Sequence, residues 1–359
     1  MLTVSSRVYR PAVAAGVGLA AVLLRRRWLA SWARLFSARA REVARLDAAA
    51  PAHVAWLRRM ECFVFDIDGV VHTGAGPIAG AAAAIAALRG AGKRVLFLTN
   101  NGTKSPQNVV DEFARMGLAA APAEVTTSGA LCAAFLAARG LRGRNVYVIG
   151  ERALVDALAA PPASVRAFGG PDDAGKTKAD LHAEGFSIAS LDPPAAEVAA
   201  VVVAADGAAN YYKIARAAAY LVGNRSCLFV VTNPDPAFTL APAAGAAPPT
   251  LSPAAGVWAR AVAMTSGREP DLVCGKPSAS LARHMVERFE LDPARTCMVG
   301  DRLDTDIEFG HNAGFATLMV ESGTMKAEAA HAAAANQRPD FIAPSIATLS
   351  DLVAAADRS

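Results

Sequence analysis

The residue types most able to do chemistry occur in the segment Phe65–Val71, which reads F-D-I-D-G-V-V after an apolar run. Two carboxylates there, Asp66 and Asp68, are separated by a single residue. Asp66 can attack phosphorus as a nucleophile and also bind a metal ion, while Asp68 can donate and later accept a proton. Gly69 lets backbone N–H groups approach an anion. Such turns are also common in solvated loops, and the flanking apolar residues favour the catalytic interpretation.

A second cluster, Leu98–Gly102, reads L-T-N-N-G and ends another apolar run. The Thr99 hydroxyl and the Asn100 amide are candidate contacts to phosphate oxygens. Taken alone, a segment of this composition more often forms an ordinary turn. Its interpretation as a phosphate-binding loop therefore depends on the presence of the other clusters.

A lysine forms the third cluster. Lys276 stands between Gly275 and Pro277, directly after the apolar residues Leu272–Cys274. On a stiff loop of small residues it can place a cation against both a phosphate and Asp66. The alternative is a surface lysine whose stem covers apolar surface.

The fourth cluster is acidic and reads M-V-G-D-R-L-D-T-D from Met298 to Asp306. A strand that runs into Asp301, with Asp306 five residues later, can put two carboxylates beside one hard cation. Mg²⁺ prefers oxygen ligands, few carboxylates and several waters. A sensible set of ligands is Asp66, the backbone carbonyl of Asp68 and Asp301, with Asp306 orienting them.

Three polar residues beside these clusters are expected to have structural roles. Arg302 and Asp304 are predicted to cap or solvate the helix that follows Asp301. His72 follows the first acidic loop, and packing of that loop is favoured over catalysis. The histidines show no pairing with cysteine or carboxylate that is typical of zinc sites.

The polar clusters need a sheet to bring them together, and the sequence predicts one. Several short apolar runs end at Gly, Asn or Asp and precede helix-like segments, which is typical of a parallel-sheet α/β fold. In such sheets ligands lie beyond the carboxyl ends of the strands. The predicted strands are Cys62–Phe65, Val95–Leu98, Val146–Ile149, Val198–Ala204, Leu228–Val231, Leu272–Cys274, Met298–Val299 and Thr317–Val320.

The spacing of the clusters predicts an inserted domain, because a long stretch separates the second from the third. The fold class is therefore α/β, a Rossmann-like parallel-sheet core with a large inserted α/β cap. Breaks rich in Pro, Gly, Ala or Asp are expected at Phe168–Asp173 and Pro242–Pro253. The predicted parts are a targeting segment at 1–45, core at 55–141, cap at 142–270 and core at 271–359.

The charge distribution separates a basic leader from an acidic body. The net charge is +4, and residues 1–41 contain eight arginines and no Asp, Glu or Lys, so the remainder carries −4. An acidic body gives no support for nucleic-acid binding. The Arg- and Ser-rich leader is typical of a transit peptide. Its apolar run at 11–24 is shorter than the roughly 20 residues that span a bilayer, so a membrane anchor is the less favoured alternative.

The five cysteines are widely spaced and include no C-x-x-C pair. Nearly all of them lie in or beside apolar runs, and the hydrophobic fraction of 53% supports a sizeable core. Buried reduced thiols are therefore predicted, rather than disulfides or a zinc site. The residues are Cys62, Cys132, Cys227, Cys274 and Cys297.

The four clusters, in this order, resemble the haloacid dehalogenase-like hydrolase superfamily. From Cys62 onward the chain is similar to the phosphoglycolate phosphatase and 4-nitrophenylphosphatase family, including its plant and algal chloroplast members. The stretches that carry the resemblance are DIDGVVHTGAGPIAGA, LTNNGTKS, GGPDDAGK, NYYKIARAAAYL, CLFVVTN, REPDLVCGKPS and CMVGDRLDTDI. The position of the insert matches the subgroup with a large α/β cap.

The resemblance implies a role for each cluster, with Asp66 as nucleophile and Asp68 as acid–base residue. The residues expected to contact phosphate and substrate are Thr99, Asn100, Asn101 and Lys276. Those expected to hold Mg²⁺ are Asp66, Asp68 and Asp301, with Asp306 in support. The implied reaction converts 2-phosphoglycolate to glycolate and phosphate, in a homodimer formed through the cap. Together with the leader, the resemblance implies a chloroplast, with the mitochondrion as alternative.

Two alternatives stay open. One keeps the site but widens the small phosphorylated substrates to 4-nitrophenyl phosphate, pyridoxal phosphate or nucleotides, because the loop 233–240 matches the family least well. The other is a phosphate-binding protein without catalysis, which we would expect to lack one of the key residues. Asp66, Asp68 and Lys276 are all in place. Kinase-type transfer is not favoured, because the four clusters together point to a phospho-aspartate on Asp66, although Gly170–Thr177 (G-P-D-D-A-G-K-T) fits the spelling G-x-x-x-x-G-K-[ST].

Overall fold

The apolar runs form the strands of two parallel sheets in the computed structural model, which describes residues 43–73, 76–240 and 250–358. The predicted fold class, a parallel-sheet α/β core, is confirmed. Within these residues no helix has the length and apolar character needed to cross a membrane. The apolar run at 11–24 lies outside the described residues.

Sixteen strands and twelve α-helices are found within the described ranges. The strands are β1 (Ala44–Arg45), β2 (Cys62–Phe65), β3 (His72–Thr73), β4 (Gly76–Pro77), β5 (Arg94–Thr99), β6 (Val125–Thr127), β7 (Asn145–Ile149), β8 (Arg166–Gly169), β9 (Val198–Val203), β10 (Leu228–Val231), β11 (Ala237–Leu240), β12 (Thr250–Pro253), β13 (Leu272–Val273), β14 (Thr296–Gly300), β15 (Ala316–Val320) and β16 (Phe341–Ala343). The helices are α1 (Pro51–Arg59), α2 (Ala81–Gly90), α3 (Pro106–Arg115), α4 (Ser128–Ala138), α5 (Arg152–Ala159), α6 (Lys178–Ala183), α7 (Tyr211–Gly223), α8 (Ala255–Ser266), α9 (Ala279–Arg288), α10 (Glu308–Ala313), α11 (Ala327–Ala332) and α12 (Thr348–Arg358).

The larger sheet has seven parallel strands in the order β1-β16-β15-β14-β2-β5-β6. From β2 the chain continues to one side through β5 and β6, whereas β14, β15 and β16 lie on the other side. The strand order therefore reverses between β2 and β14, and ligands bind beyond the carboxyl ends of the strands at such a point. Asp66 follows β2 and Asp301 follows β14, so the topology itself brings these two carboxylates together.

Both faces of the larger sheet are covered by helices, because alternate residues of its strands point to opposite faces. Phe63 and Phe97 belong to an apolar cluster on one face, with helices α1, α2, α3 and α12. Val64 and Leu98 belong to a cluster on the other face, with α4 and α9. That second cluster continues into β7, β9 and α5 of the smaller sheet. The two sheets therefore share a continuous apolar interior.

The smaller sheet has five parallel strands in the order β13-β10-β9-β7-β8. Its strands come from the long stretch between the second and third motif clusters. β13 pairs with β10, although the predicted boundary at 270 assigned its residues to the core. The segment Val43–Ser359 packs as one compact unit. The division into core and cap domains therefore stays a prediction, and we call residues 142–273 the insert.

Several short strands were not predicted from the sequence. β1, which falls inside the predicted targeting segment 1–45, pairs with β16 at the sheet edge, and residues 1–42 of that segment lie outside the described residues. The expected break at Phe168–Asp173 overlaps the end of β8, and the break at Pro242–Pro253 overlaps β12. These strands have two to four residues, too few to show a periodic pattern.

A buried ion pair in the insert generates a stability prediction. The Lys213 ammonium donates to Asp206 Oδ2 at 2.7 Å, and both side chains are fully buried. Removing one partner of such a pair leaves an uncompensated buried charge. Lys213→Ala is therefore expected to lower the free energy of unfolding by about 3–5 kcal/mol, measured by urea denaturation. Arg260→Ala, which breaks the exposed pair with Glu269, should leave the midpoint unchanged. Equal midpoints for the two variants would contradict this account.

Candidate active site

The acidic loop after β2 places its two aspartates in different surroundings. Asp66 is buried, and its N–H donates to the carbonyl oxygen of Val299 at 2.8 Å, which extends the β2–β14 pairing by one residue. The side chain of Asp68 is 62% exposed. The loop thus presents one carboxylate to the interior of the site and one to solvent.

The ammonium of Lys276 lies among the carboxylates. It donates to Asp66 Oδ1 at 2.5 Å, to Asp306 Oδ1 at 2.7 Å and to the carbonyl oxygen of Leu98 at 3.1 Å. All three of its hydrogens are therefore used, and the side chain is 2% exposed. Residues from three distant parts of the chain meet at this one cation.

Asp301 is held by a loop that the sequence analysis missed. Its Oδ2 accepts from the backbone N–H of Thr324 at 2.6 Å, and its carbonyl oxygen accepts from Met325 N–H at 3.3 Å. Gly323 and Gly69 leave room for this carboxylate, since a Cβ on either would overlap it. Gly69 also has a φ of +85°, which favours glycine. A small-residue segment directly after the apolar β15 was the available signal.

Both carboxylate oxygens of Asp306 accept hydrogen bonds, which hold the side chain in place. It lies in a π-helical turn, Leu303–Ile307, that precedes α10. Its Oδ2 accepts from the backbone N–H groups of Asp301 and Arg302, each at 3.1 Å, and its Oδ1 accepts from Lys276. Gly300 leaves room for the carboxylate. The supporting role of Asp306 at a metal site stays a prediction.

The site carries more negative than positive charge. Ligand atoms of Asp66, Asp301 and Asp306 all lie within 4.8 Å of one another. Burial raises the pKa of Asp66 well above its usual value, with Lys276 opposing the shift. Burial and the neighbouring Asp306 raise the pKa of Asp301 to about 6. Although burial disfavours the charged lysine, Asp306 and Asp66 raise the pKa of Lys276. One ammonium therefore does not neutralise the cluster.

The segment after β5 lies beside Lys276, but its amides are already engaged. Thr99 is buried, and its Oγ1 accepts from Asn101 N–H at 3.0 Å. Asn100 Oδ1 accepts from Lys276 N–H at 2.8 Å. Asn101 Oδ1 accepts from the N–H and hydroxyl of Thr103 at 2.9 and 2.6 Å. Thr99, Asn100 and Asn101 thus lie together beside Lys276, with the side-chain oxygens of Asn100 and Asn101 used in contacts within the protein, and the contacts of all four residues with phosphate stay a prediction.

The insert reaches the site through the loop after β10. Asn233 Nδ2 donates to the carbonyl oxygen of Asn100 at 2.8 Å. Asn100 Nδ2 in turn donates to Asp235 Oδ2 at 2.9 Å. Arg302 Nη1 lies 3.4 Å from Asp235 Oδ1. The loop 233–240 is predicted from the sequence to influence substrate choice, but no role of Asn233 or Asp235 is predicted, because single polar residues in a loop have no local pattern.

His72 packs within its loop, whereas the Arg302 side chain makes no capping hydrogen bond to the turn that follows it. His72 is buried, with its ring edge against Phe113 and its Nδ1 4.0 Å from Asp68 Oδ1. Arg302 forms two hydrogen bonds to Asp304, at 3.1 and 2.7 Å. All five cysteines are buried and free, as predicted.

The donor set fits a divalent cation. The three clustered carboxylates supply oxygen ligands, and burial, with neighbouring carboxylates adding to it, raises the pKa values of Asp66 and Asp301, so a cation bound there would stabilise their charged forms. The Asp306 carboxylate already accepts hydrogen bonds from Lys276 and from two backbone N–H groups. Asp66 and Asp301 are therefore the carboxylates available to an ion.

Fold and site together define a haloacid dehalogenase-like hydrolase. The family model of that description matches residues 63–161, and a second model of HAD-hydrolase-like proteins matches residues 273–349. The chain is 37% identical over 283 residues to the chloroplastic phosphoglycolate phosphatase 1A of Arabidopsis thaliana, covering 79% of this chain and 74% of the relative. It is 36% identical over 304 residues to human chronophin, covering 82% and 94%.

Solved structures agree with this assignment. A glycerol phosphate phosphatase from Mycobacterium tuberculosis, in complex with calcium, superposes with a TM-score of 0.65 at 28% identity, covering 82% of this chain and 76% of that one. The same enzyme was also solved with magnesium. A p-nitrophenyl phosphatase from Archaeoglobus fulgidus gives 0.65 at 25% identity, covering 82% and 99%. The chain belongs to the phosphoglycolate phosphatase and 4-nitrophenylphosphatase family, and it is a phosphoric monoester hydrolase.

The pKa of Asp301 generates a prediction on metal and pH. Its value of about 6 exceeds the unperturbed 3.8, so between these values the folded, ion-free protein keeps a proton that the unfolded chain has lost. The contribution of Asp301 to the free energy of unfolding therefore falls as pH rises between these two pKa values. A bound cation reverses that loss. Adding Mg²⁺ should raise the melting temperature more at about pH 7.5 than at about pH 5, because protons compete for the ligand.

Two variants control this measurement. Asp301→Asn should abolish both the Mg²⁺ response and its pH dependence. Asp111→Asn, which changes an exposed carboxylate bonded to Gln107, should keep both. An equal response of the unaltered protein at the two pH values would contradict the prediction.

Proposed function

We propose that this protein hydrolyses 2-phosphoglycolate to glycolate and phosphate through a phospho-aspartate intermediate on Asp66. The observation that carries the proposal is the Lys276 ammonium, which bridges Asp66 and Asp306 beside Asp301. Kinship with the Arabidopsis phosphoglycolate phosphatases supports the choice of substrate.

In the proposed mechanism an oxygen of Asp66 attacks phosphorus, and the bond from phosphorus to the leaving oxygen breaks. Asp68 donates its proton to that oxygen, which leaves as an alcohol. A water then attacks the phospho-aspartate while Asp68 takes its proton, which releases phosphate, restores the Asp66 carboxylate and returns Asp68 to its protonated form. The exposure of Asp68 suits this exchange with substrate and water, and the fixed position of Asp66 suits the nucleophile.

Three groups of residues assist this step. Lys276 holds Asp66 and offsets negative charge near the transferring phosphoryl group. Thr99, and Asn100 and Asn101 through their loop, form the phosphate-binding side of the site. Asp66, Asp301 and the Asp68 carbonyl would hold Mg²⁺, supported by Asp306, and the ion would neutralise phosphoryl oxygens when bound.

Broader specificity is the second candidate, favoured by the range of substrates in the names of relatives. These include glycerol 3-phosphate and 4-nitrophenyl phosphate. The loop 233–240, which ends in strand β11, would then admit several leaving groups. A phosphate-binding protein without turnover is disfavoured, because the relatives at 37% identity are phosphatases by name and the Lys276 ammonium contacts Asp66.

The location and assembly are proposed on separate grounds. The Arg-rich leader and the word chloroplastic in the names of two Arabidopsis relatives support a chloroplast, with the mitochondrion as alternative. Residues 1–45 fused to a fluorescent protein would report the organelle. Pairing of two copies through the insert is a prediction from family resemblance, and light scattering would measure it.

Replacement of the nucleophile tests the reaction. Asp66→Asn should lower phosphate release by more than about a thousandfold, because an amide cannot form the covalent intermediate. Release from the unaltered protein should require Mg²⁺ and stop with a chelator. Asp111→Asn serves as the matched control and should keep full activity. Normal turnover by Asp66→Asn would end the proposal.

A substrate panel tests the specificity. Because specificity is a ratio of kcat/KM values, 2-phosphoglycolate should exceed pyridoxal phosphate, glycerol 3-phosphate and nucleotides by about tenfold or more. Comparable ratios across the panel would favour the broader phosphatase. That result would leave the mechanism in place.

A further inference from the structure

Asp235, which belongs to the insert, contacts two separate loops of the core. Its Oδ2 accepts from Asn100 Nδ2 at 2.9 Å, and its Oδ1 lies 3.4 Å from Arg302 Nη1. The Asp235 side chain is 14% exposed. Asn100 follows β5 and Arg302 follows β14, so one carboxylate joins both sides of the point where strand order reverses.

The first contact leads to the lysine through Asn100. Besides Asp235, Asn100 Nδ2 donates to the carbonyl oxygen of Lys276 at 3.1 Å, and Asn100 Oδ1 accepts from Lys276 N–H at 2.8 Å. Both amide hydrogens and the oxygen are therefore used. The orientation of this amide fixes the backbone from which the Lys276 side chain extends, and Asp235 fixes the amide.

The second contact leads to the same lysine through Arg302. The backbone N–H of Arg302 donates to Asp306 Oδ2 at 3.1 Å, and Asp306 Oδ1 accepts from Lys276 Nζ at 2.7 Å. Two series of contacts therefore lead from Asp235 to Lys276. One reaches the backbone of the lysine, and the other reaches its ammonium group.

The Asp235 carboxylate lies in a buried position that costs free energy of folding. Burial raises the pKa of Asp235, while Asn100 and Arg302 oppose the shift. Oδ1 forms no hydrogen bond among the described residues, although Arg302 is near. The loop keeps its shape by other means, since Gly256 N–H donates to the Asp235 carbonyl oxygen at 2.9 Å and Asp235 N–H donates to Asn233 Oδ1 at 3.2 Å. A side chain that costs stability and is not needed to shape its own loop points to a role in the site.

We propose that Asp235 is a positioning residue, by which the insert sets the Lys276 ammonium against Asp66 through Asn100 and Arg302. The carboxylate does not touch the substrate. The inference rests on the proposed reaction at Asp66, and it adds that turnover depends on contact between the insert and the core. Hydrolysis of 4-nitrophenyl phosphate is a suitable readout, because it is independent of the natural substrate.

Asp235→Ala in the full chain should lower kcat by about 10- to 100-fold, the factor expected for one hydrogen bond to a charged group. KM should change by less than about threefold, since the phosphate ligands remain. Asp235→Asn keeps the shape and one acceptor oxygen, so it should recover part of the loss. The urea midpoint of Asp235→Asn should stay close to that of the unaltered protein, which separates positioning from folding.

Asp172→Ala is the matched control, because it removes an exposed carboxylate of the insert that pairs with Arg152. It should leave kcat unchanged. A loss of kcat in Asp172→Ala equal to that in Asp235→Ala would overturn the proposal. So would a kcat of Asp235→Ala within about twofold of the unaltered protein, the scatter of such comparisons.

A double-mutant cycle with Asn100→Ala tests the route. If Asp235 acts partly through Asn100, the loss in the double variant should be smaller than the product of the two single losses, because coupled residues are not additive. Fully additive losses would overturn the route. An inactive Asp66→Asn with an unaffected Asp235→Ala would uphold the proposed reaction and reject this inference. An active Asp66→Asn would reject the reaction itself.

Discussion

The structure depends on one ammonium held among three buried carboxylates. Burying carboxylates away from water is costly unless each gains hydrogen bonds and opposite charge. Lys276 reaches Asp66 and Asp306, and backbone N–H groups serve Asp306 and Asp301. One positive charge does not balance the cluster, so the site has a built-in preference for a further cation. Much of the surrounding architecture, including the glycines that leave room for carboxylates, follows from this requirement.

The centre of this site could be predicted from the sequence because its residues follow strand ends. Asp66, Lys276 and Asp301 each come just after an apolar run, Asp306 follows Asp301 by five residues, and the carboxyl ends of parallel strands meet at one edge. The loop that holds Asp301 and the contacts of Asp235 could not be predicted in this way. Their partners are more than 20 residues away or in the insert, and local pattern contains no information about such distances.

Asn100 shows that the sequence can predict where a residue lies without predicting which groups its side chain contacts. The sequence placed its amide near phosphate, and the residue does lie beside Lys276. Its side chain is nevertheless occupied by the backbone of Lys276 and by Asp235. An amide side chain can form only a few hydrogen bonds, and only the folded structure shows which partners use them. Short strands were missed for a similar reason, since β1 and β6 are defined by their neighbours rather than by periodicity.

The position of strand β13 limits where this chain can be joined to a relative in a chimeric protein. It pairs with β10 of the smaller sheet and ends three residues before Lys276. Lys276 therefore follows directly from the edge strand of the insert's own sheet. A chimera that exchanges the insert between relatives should place its downstream junction beyond Pro277, so that β10, β13 and the lysine travel as one block. A junction at the apparent end of the helical segment, near Gly267, would join a foreign sheet edge to a native β13.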